Sequence, residues 1–257
     1  MIVTVDIGNS RIKMASWQAD VIVGRGVTDY DNAHYSSAFD RLFLDVPRPS
    51  EIYALCVATE EVAQALDDWV TARWQMDVDY LKTTKKYKNI VNAYEDPAQH
   101  GVDRWAGLVA ANQSFSNTAV CVISAGTATT FDFVDKNGQH LGGYILPSFY
   151  TMHKALQADT ANVASTSSMR LQQNLPVNTS DAVNQGLHKF MQAGIRELCR
   201  LAEDSMGEPV RIVVTGGFAK NILDYPAMPA MHYRPDLVMQ GLYDMMQQQN
   251  KKGSMDK

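Results

Sequence analysis

Residues 2–17 read IVTVDIGNSRIKMASW, and residues 119–134 read AVCVISAGTATTFDFV in almost the same register. Each stretch is an apolar strand, a turn of small residues and a second alternating strand. Asp6-Ile7-Gly8-Asn9 aligns with Ser124-Ala125-Gly126-Thr127 at an offset of 118 residues. A repeat that long exceeds any solenoid unit, so it predicts a duplicated domain whose two matching hairpins face each other across a cleft. Two glycine turns that bring main-chain N–H groups to one place suit a polyphosphate.

The flanking sequence repeats as well. After the hairpin Ile2–Asp6 and Arg11–Trp17, Asp20–Arg25 reads as a third strand. A polar stretch, Thr28–Phe39, leads to a buried strand over Glu51–Val57. Apolar Val62, Leu66, Trp69 and Val70 then recur close to helical period in Thr59–Trp74, with Thr59 as its cap and Glu60 and Glu61 favouring its positive end. Residues 82–101 are polar and irregular, and Gly101–Asn112 reads as a helix. In the second half Ala119–Ser124 and Thr129–Val134 form the hairpin, Asn137-Gly138 marks a tight turn, and Gln139–Ile145 is the third strand. Helical segments run to residue 206, and the strand Pro209–Val214 opens through Thr215-Gly216-Gly217 onto a helix from Phe218. The polar tail from Gln247 is expected to fray. The expected division is a first domain over 1–115 and a second over 116–257, joined near 112–118.

Composition narrows the function classes. At 257 residues, 46% hydrophobic and 20% charged, the chain can bury an ample core and is not mostly disordered. Its net charge of −5 gives no electrostatic reason to expect nucleic acid as a partner. No apolar window has the length of a membrane span. Asp6 interrupts the first apolar run and no basic segment precedes it, so a secretory signal is not expected. Cys56, Cys121 and Cys199 are widely spaced and form no CxxC pair, which favours small buried thiols in a reducing cytoplasm over a disulfide or metal framework. The six histidines show no ligand spacing and are read as structural or surface residues.

Three segments carry chemistry. In Asp6-Ile7-Gly8-Asn9-Ser10 a carboxylate closes a strand and can hold Mg²⁺ directly or through water. Gly8 admits a phosphate close to the backbone, Asn9 and Ser10 can donate to it, and Lys13 adds positive charge from the return strand. A lone DxGN is as well explained by a plain hairpin, and the matched SAGTATT at 124–130 tips the reading toward phosphate. Gly216 and Gly217, at a strand-to-helix junction, allow flat contact with an adenine or ribose. Gly101-Val102-Asp103-Arg104 supplies a candidate general base, Asp103, and a candidate oxygen clamp, Arg104; an ion pair at a helix start is the plainer alternative. Trp105 reads as core.

Taken together, DIGNS, GVDR, SAGTATT, VTGG and the closing Gln240-Gly241-Leu242 resemble the type III pantothenate kinases, members of the actin/hexokinase/Hsp70-like phosphotransferase superfamily. The resemblance covers nearly the whole chain, with GxDR and GTAxT its most particular parts. It implies an α/β fold of duplicated ribonuclease-H-like (actin-like ATPase) domains with an interdomain cleft. It also implies ATP-dependent phosphorylation of pantothenate, the first step of coenzyme A synthesis, in the cytoplasm. By family position Asp6, Ile7, Gly8, Asn9, Ser10, Arg11, Ile12 and Lys13 cradle the ATP phosphates, and Gly126 and Thr127 contact ATP. Tyr94, Gly101, Val102, Asp103, Arg104 and Thr179 bind pantothenate, with Asp103 the proton acceptor. A homodimer, Mg²⁺ and a monovalent cation (K⁺ or NH₄⁺) are implied as well, with no nucleic acid or membrane partner.

One position departs from the family pattern. The family places an Asp before AGTA and uses it for the monovalent cation, whereas this chain has Ser124. A neutral hydroxyl holds K⁺ far more weakly, so little dependence on K⁺ is expected unless Asp132 compensates. The rival readings are a kinase of the same superfamily with another small acceptor, and a catalytically weakened relative acting as a regulatory or binding protein. Retention of Asp6, Asp103, Arg104 and Thr127 argues against the second.

Overall fold

A computed structural model describes residues 1–30, 34–159 and 174–255. Tertiary contacts divide the chain into two units, Met1–Lys88 with Tyr94–Gln113 and Asp236–Lys257, and Asn89–Ala93 with Ser114–Pro235.

The first unit is built on a five-stranded sheet. Its strands are β1 (Ile2–Ile7), β2 (Arg11–Gln18), β3 (Val21–Asp29), β4 (Glu51–Cys56) and β5 (Asp79–Tyr80), in the order β3-β2-β1-β4-β5. The first three form an antiparallel meander, and β4 and β5 join parallel to β1. Val3, Val5 and Ile7 point to one face of β1, where α1 (Tyr35–Leu42) and α2 (Glu60–Trp74) close a core containing Phe39, Leu66 and Trp74. Short β6 (Lys86–Tyr87) precedes α3 (Val102–Ser114), which carries the GVDR segment.

The second unit repeats the plan. After short β7 (Ile90–Val91) come β8 (Ala119–Ala125), β9 (Ala128–Val134), β10 (His140–Pro147), α4 (Phe149–Asp159), α5 (Thr179–Met206), β11 (Val210–Thr215), α6 (Ala219–Leu223) and β12 (Met231–Tyr233). Its sheet runs β10-β9-β8-β11-β12, the same order and the same mix of antiparallel and parallel pairs as the first. Two sheets of one topology in one chain are the duplication that the matching hairpins imply. The 28-residue α5 lays Met191, Ile195 and Cys199 on a core shared with Cys121, Ile123, Phe131 and Phe218. Asn178 caps it by accepting from Asp181 N, and Gly207 ends it at φ +63°.

Four expectations need correction. The C-terminal helix α7 (Leu237–Met255) belongs to the first unit, not to the domain expected over 116–257. Its Met239 and Tyr243 cover the second face of the first sheet, with Tyr243 stacked on Trp17 at 4.2 Å. Thr4, on that face, receives Trp17 Nε1 at 2.9 Å. The polar tail does not fray at Gln247: the helix continues to Met255, and Gln247 donates to Tyr53 Oη. Within the polar stretch after β3 lies α1, held by Ala38, Phe39 and Leu42 on one face. Thr59 occupies the N-cap of α2 but makes no capping bond to a helix N–H; a hydrogen bond with it lowers the Glu61 carboxyl instead.

Candidate active site

In the first hairpin the register pairs Asp6 with Lys13 and Ile7 with Ile12, leaving Gly8, Asn9 and Ser10 as the loop. Gly8 N donates to Arg11 O at 3.0 Å, so that amide closes the turn, and Asn9 and Ser10 are exposed. Asp6 is buried to 6% exposure and its Oδ2 lies 3.1 Å from Lys13 Nζ. A hard carboxylate oxygen at a strand end, with a cation one strand away, fits Mg²⁺ held beside phosphate. Arg11 turns outward to Asp29 at 2.8 Å, while Ile7 and Ile12 point into the core. The phosphate-facing candidates of this hairpin therefore reduce to Asp6, Gly8, Asn9, Ser10 and Lys13. Beside the turn, burial pushes up the Cys56 thiol, with Asp6 adding to the effect.

The second turn is Gly126-Thr127, both exposed, with Gly126 N closing on Ala128 O at 2.9 Å. The strand-to-helix junction wraps this turn from behind. Gly216 has φ +96°, and a Cβ there would stand 2.4 Å from Ala125 O, so only glycine fits. Phe218 N donates to the same carbonyl at 3.0 Å. Gly216 is thus demanded by packing against the turn, and Gly217 is the exposed member of the pair. Ser124 faces Thr130 across β9 and Thr215 across β11, so its cross-strand neighbours are hydroxyls. Asp132 is buried, with its Oδ1 3.3 Å from His140 Nε2.

The GVDR segment opens α3. Asp103 bends back over the helix start, its Oδ1 accepting from Arg104 N at 2.8 Å. A Cβ at Gly101 would lie 2.9 Å from that oxygen, which explains the spacing of glycine and aspartate in the motif. Arg104 is buried, donates to Tyr94 Oη at 3.3 Å and stacks its guanidinium 5.9 Å from the Tyr94 ring. Tyr94 stacks in turn on His100 at 4.8 Å. Val102 and Trp105 are core. The structure therefore gathers Tyr94, Gly101, Asp103 and Arg104 into one cluster. Thr179 stands exposed at the first residue of α5, next to the Asn178 cap.

Two hydroxyls at the turns escape sequence reasoning. Tyr30 Oη donates to Gly8 O at 2.7 Å, and Thr151 Oγ1 donates to Thr127 O at 2.7 Å. Both lie outside any motif, and their only sequence signal is closeness to the end of a third strand.

The two sheets of matching order, each with its glycine turn, give the chain a duplicated α/β fold of the actin-like ATPase type. A Campylobacter jejuni protein solved under the description of a Baf family transcriptional activator superposes with a TM-score of 0.62 at 20% identity, over 97% of this chain and 99% of its own. An activator of 2-hydroxyisocaproyl-CoA dehydratase from Clostridium difficile, with bound ADPNP, gives 0.55 at 12% identity, over 98% of this chain and 97% of its own. Residues 2–201 match the type III pantothenate kinase family. The type III pantothenate kinase of Nitrosococcus oceani is 32% identical over 94% of this chain and 92% of its own. That of Hahella chejuensis is 33% identical over 92% and 93%. The chain belongs to the type III pantothenate kinases, enzymes that phosphorylate pantothenate in coenzyme A biosynthesis.

Proposed function

We propose that Asp103 is the general base of this kinase, accepting the proton of pantothenate's primary hydroxyl as that oxygen attacks the γ-phosphorus of ATP. The new P–O bond forms as the bond to ADP breaks, giving 4′-phosphopantothenate. The observation that carries this reading is the Asp103 carboxylate, fixed by the Arg104 N–H over Gly101. One oxygen is anchored by the main chain, so the group has a defined orientation toward an incoming alcohol. Arg104, braced by Tyr94, orients the acceptor, with Thr179 contributing from α5. ATP phosphates are received by Asn9, Ser10 and Lys13 of the first turn and Gly126 and Thr127 of the second, and adenosine by Gly217. Asp6 would hold Mg²⁺, which when bound neutralises charge on the phosphates. A homodimer in the cytoplasm completes the reading, supported by the family membership and by three free thiols, as suits a reducing compartment.

The neutral residue at Ser124 extends the proposal to the monovalent cation. Both of its cross-strand neighbours, Thr130 and Thr215, are uncharged, so a neutral hydroxyl stands where the family has its carboxylate. ADP release should require pantothenate and should change less than about twofold between K⁺, Na⁺ and Tris buffers. A coupled ADP-release assay with and without pantothenate in each buffer checks both points. ADP release without the acceptor contradicts the kinase reading, and strict activation by K⁺ contradicts the reading of Ser124.

A further inference from the structure

Each half of the duplication places a hydroxyl against a carbonyl of its own phosphate turn. In the first unit Tyr30 directly follows the last residue of β3, and its Oη donates to Gly8 O at 2.7 Å. In the second unit Ser148 directly follows the last residue of β10 and is buried to 1% exposure. Its Oγ lies 3.1 Å from Thr151 Oγ1, which donates to Thr127 O at 2.7 Å. The same place in two sheets of one topology thus grips the corresponding turn, once directly and once through a neighbour. The held carbonyls are one position apart in the alignment, Gly8 in the first turn and Thr127, which matches Asn9, in the second, so each turn is gripped at its own peptide plane.

What the grip controls follows from the peptide unit. All peptide bonds of the described residues are trans, so a carbonyl and the following N–H point in opposite directions within one plane. Holding Gly8 O therefore sets the direction of the Asn9 N–H, and holding Thr127 O sets that of the Ala128 N–H. Gly8 N closes the loop on Arg11 O, and the Tyr30 bond holds the other end of the same residue, at the Gly8–Asn9 plane. Tyr30 is itself anchored. Its ring sits 5.8 Å from Tyr35, and Arg41 Nη2 holds the carbonyl of the preceding Asp29 at 3.2 Å. Burial pushes up the Tyr30 hydroxyl, with Cys56 and Tyr35 adding, so it stays a protonated donor across the working pH range.

We propose that Tyr30 and Thr151 are positioning residues for phosphoryl transfer, each orienting the peptide plane of one phosphate turn so that its amide meets the nucleotide. The proposal rests on the reading that these turns receive ATP. An amide already aimed loses no orientation freedom on binding, so the grip acts on nucleotide affinity rather than on the acceptor.

The test compares Tyr30→Phe, Thr151→Val and Thr151→Ser in steady-state kinetics, with thermal melting alongside. Tyr30→Phe keeps the ring on Tyr35 and removes only the donor; Thr151→Val keeps the shape. Each should raise KM for ATP about two- to tenfold, the range of one lost hydrogen bond, while KM for pantothenate stays within about twofold. Thr151→Ser, which retains the hydroxyl, should restore the ATP KM. An unchanged ATP KM in both Tyr30→Phe and Thr151→Val, or equal rises in both KM values with a lowered melting temperature, overturns positioning. Lys13→Met separates the two levels of the argument. A raised ATP KM there with none in Tyr30→Phe sinks the positioning role alone, whereas no rise in either sinks the assignment of the first turn to ATP.

Discussion

Asp103→Asn should lower turnover about 100- to 10,000-fold, the range general-base catalysis supplies, while KM for ATP stays within about twofold. The substitution is close to isosteric, and the asparagine Oδ1 can still accept from Arg104 N, so the start of α3 keeps its geometry. What is lost is the ability to take a proton as the P–O bond forms. The carboxylate also sits in the first turn of α3, where its charge favours the helix by about 0.3–1 kcal/mol. That figure is far too small to unfold the unit, so a collapse of turnover with a melting temperature nearly unchanged reports chemistry rather than stability. Turnover near the wild-type rate would remove Asp103 from the base role. It would leave the plainer alternative, an acidic residue that merely caps the helix.

Gly241→Ala should destabilise the first unit by about 3 kcal/mol or more, lowering the melting temperature by roughly 5–10 °C. A Cβ at Gly241 would stand 2.0 Å from Ala106 O and 2.6 Å from Ala106 C. Those atoms are the backbone of α3 and cannot rotate aside, so α7 and α3 must separate. The gain in helix propensity from glycine to alanine, about 1 kcal/mol, is smaller than that clash. Because α3 carries Asp103 and Arg104, turnover should fall with stability. Gly107, on the same pair of helices, is the control. A Cβ there would meet Val238 and Leu237 side chains at 3.7 and 3.8 Å, ordinary contact, so Gly107→Ala should be neutral or stabilising. Equal melting temperatures for the two variants would contradict the close approach of α7 to α3.

This packing marks what the sequence made legible. The twin hairpins could be read because alternation and a glycine turn occur together twice, and local patterns suffice to specify a hairpin. The GVDR helix, the TGG junction and the buried strand at 51–56 were legible for the same reason. The allegiance of α7 was not: its Met239 and Tyr243 meet Trp17 and Ala15 from the far end of the chain, and no local pattern encodes that pairing. Helix α1 is eight residues long, too short for its three buried side chains to establish a period within a polar stretch. In the candidate site, Asp6, Asp103 and Arg104 stood out by residue type and motif, but the reasons for Gly101 and Gly216 emerged only from neighbouring atoms. Tyr30 and Thr151 carried little signal beyond their place after a third strand, because their partners are main-chain carbonyls, which every residue possesses.

In the proposed reaction Asp103 meets the acceptor alcohol while the glycine turns meet the triphosphate. A crystal structure with a non-hydrolysable ATP analogue, Mg²⁺ and pantothenate tests that most directly. The primary hydroxyl should lie about 2.6–3.2 Å from an Asp103 carboxylate oxygen, with phosphate oxygens against the Asn9 and Thr127 segments. Pantothenate bound with its hydroxyl directed away from Asp103, or a triphosphate touching neither turn, would contradict it.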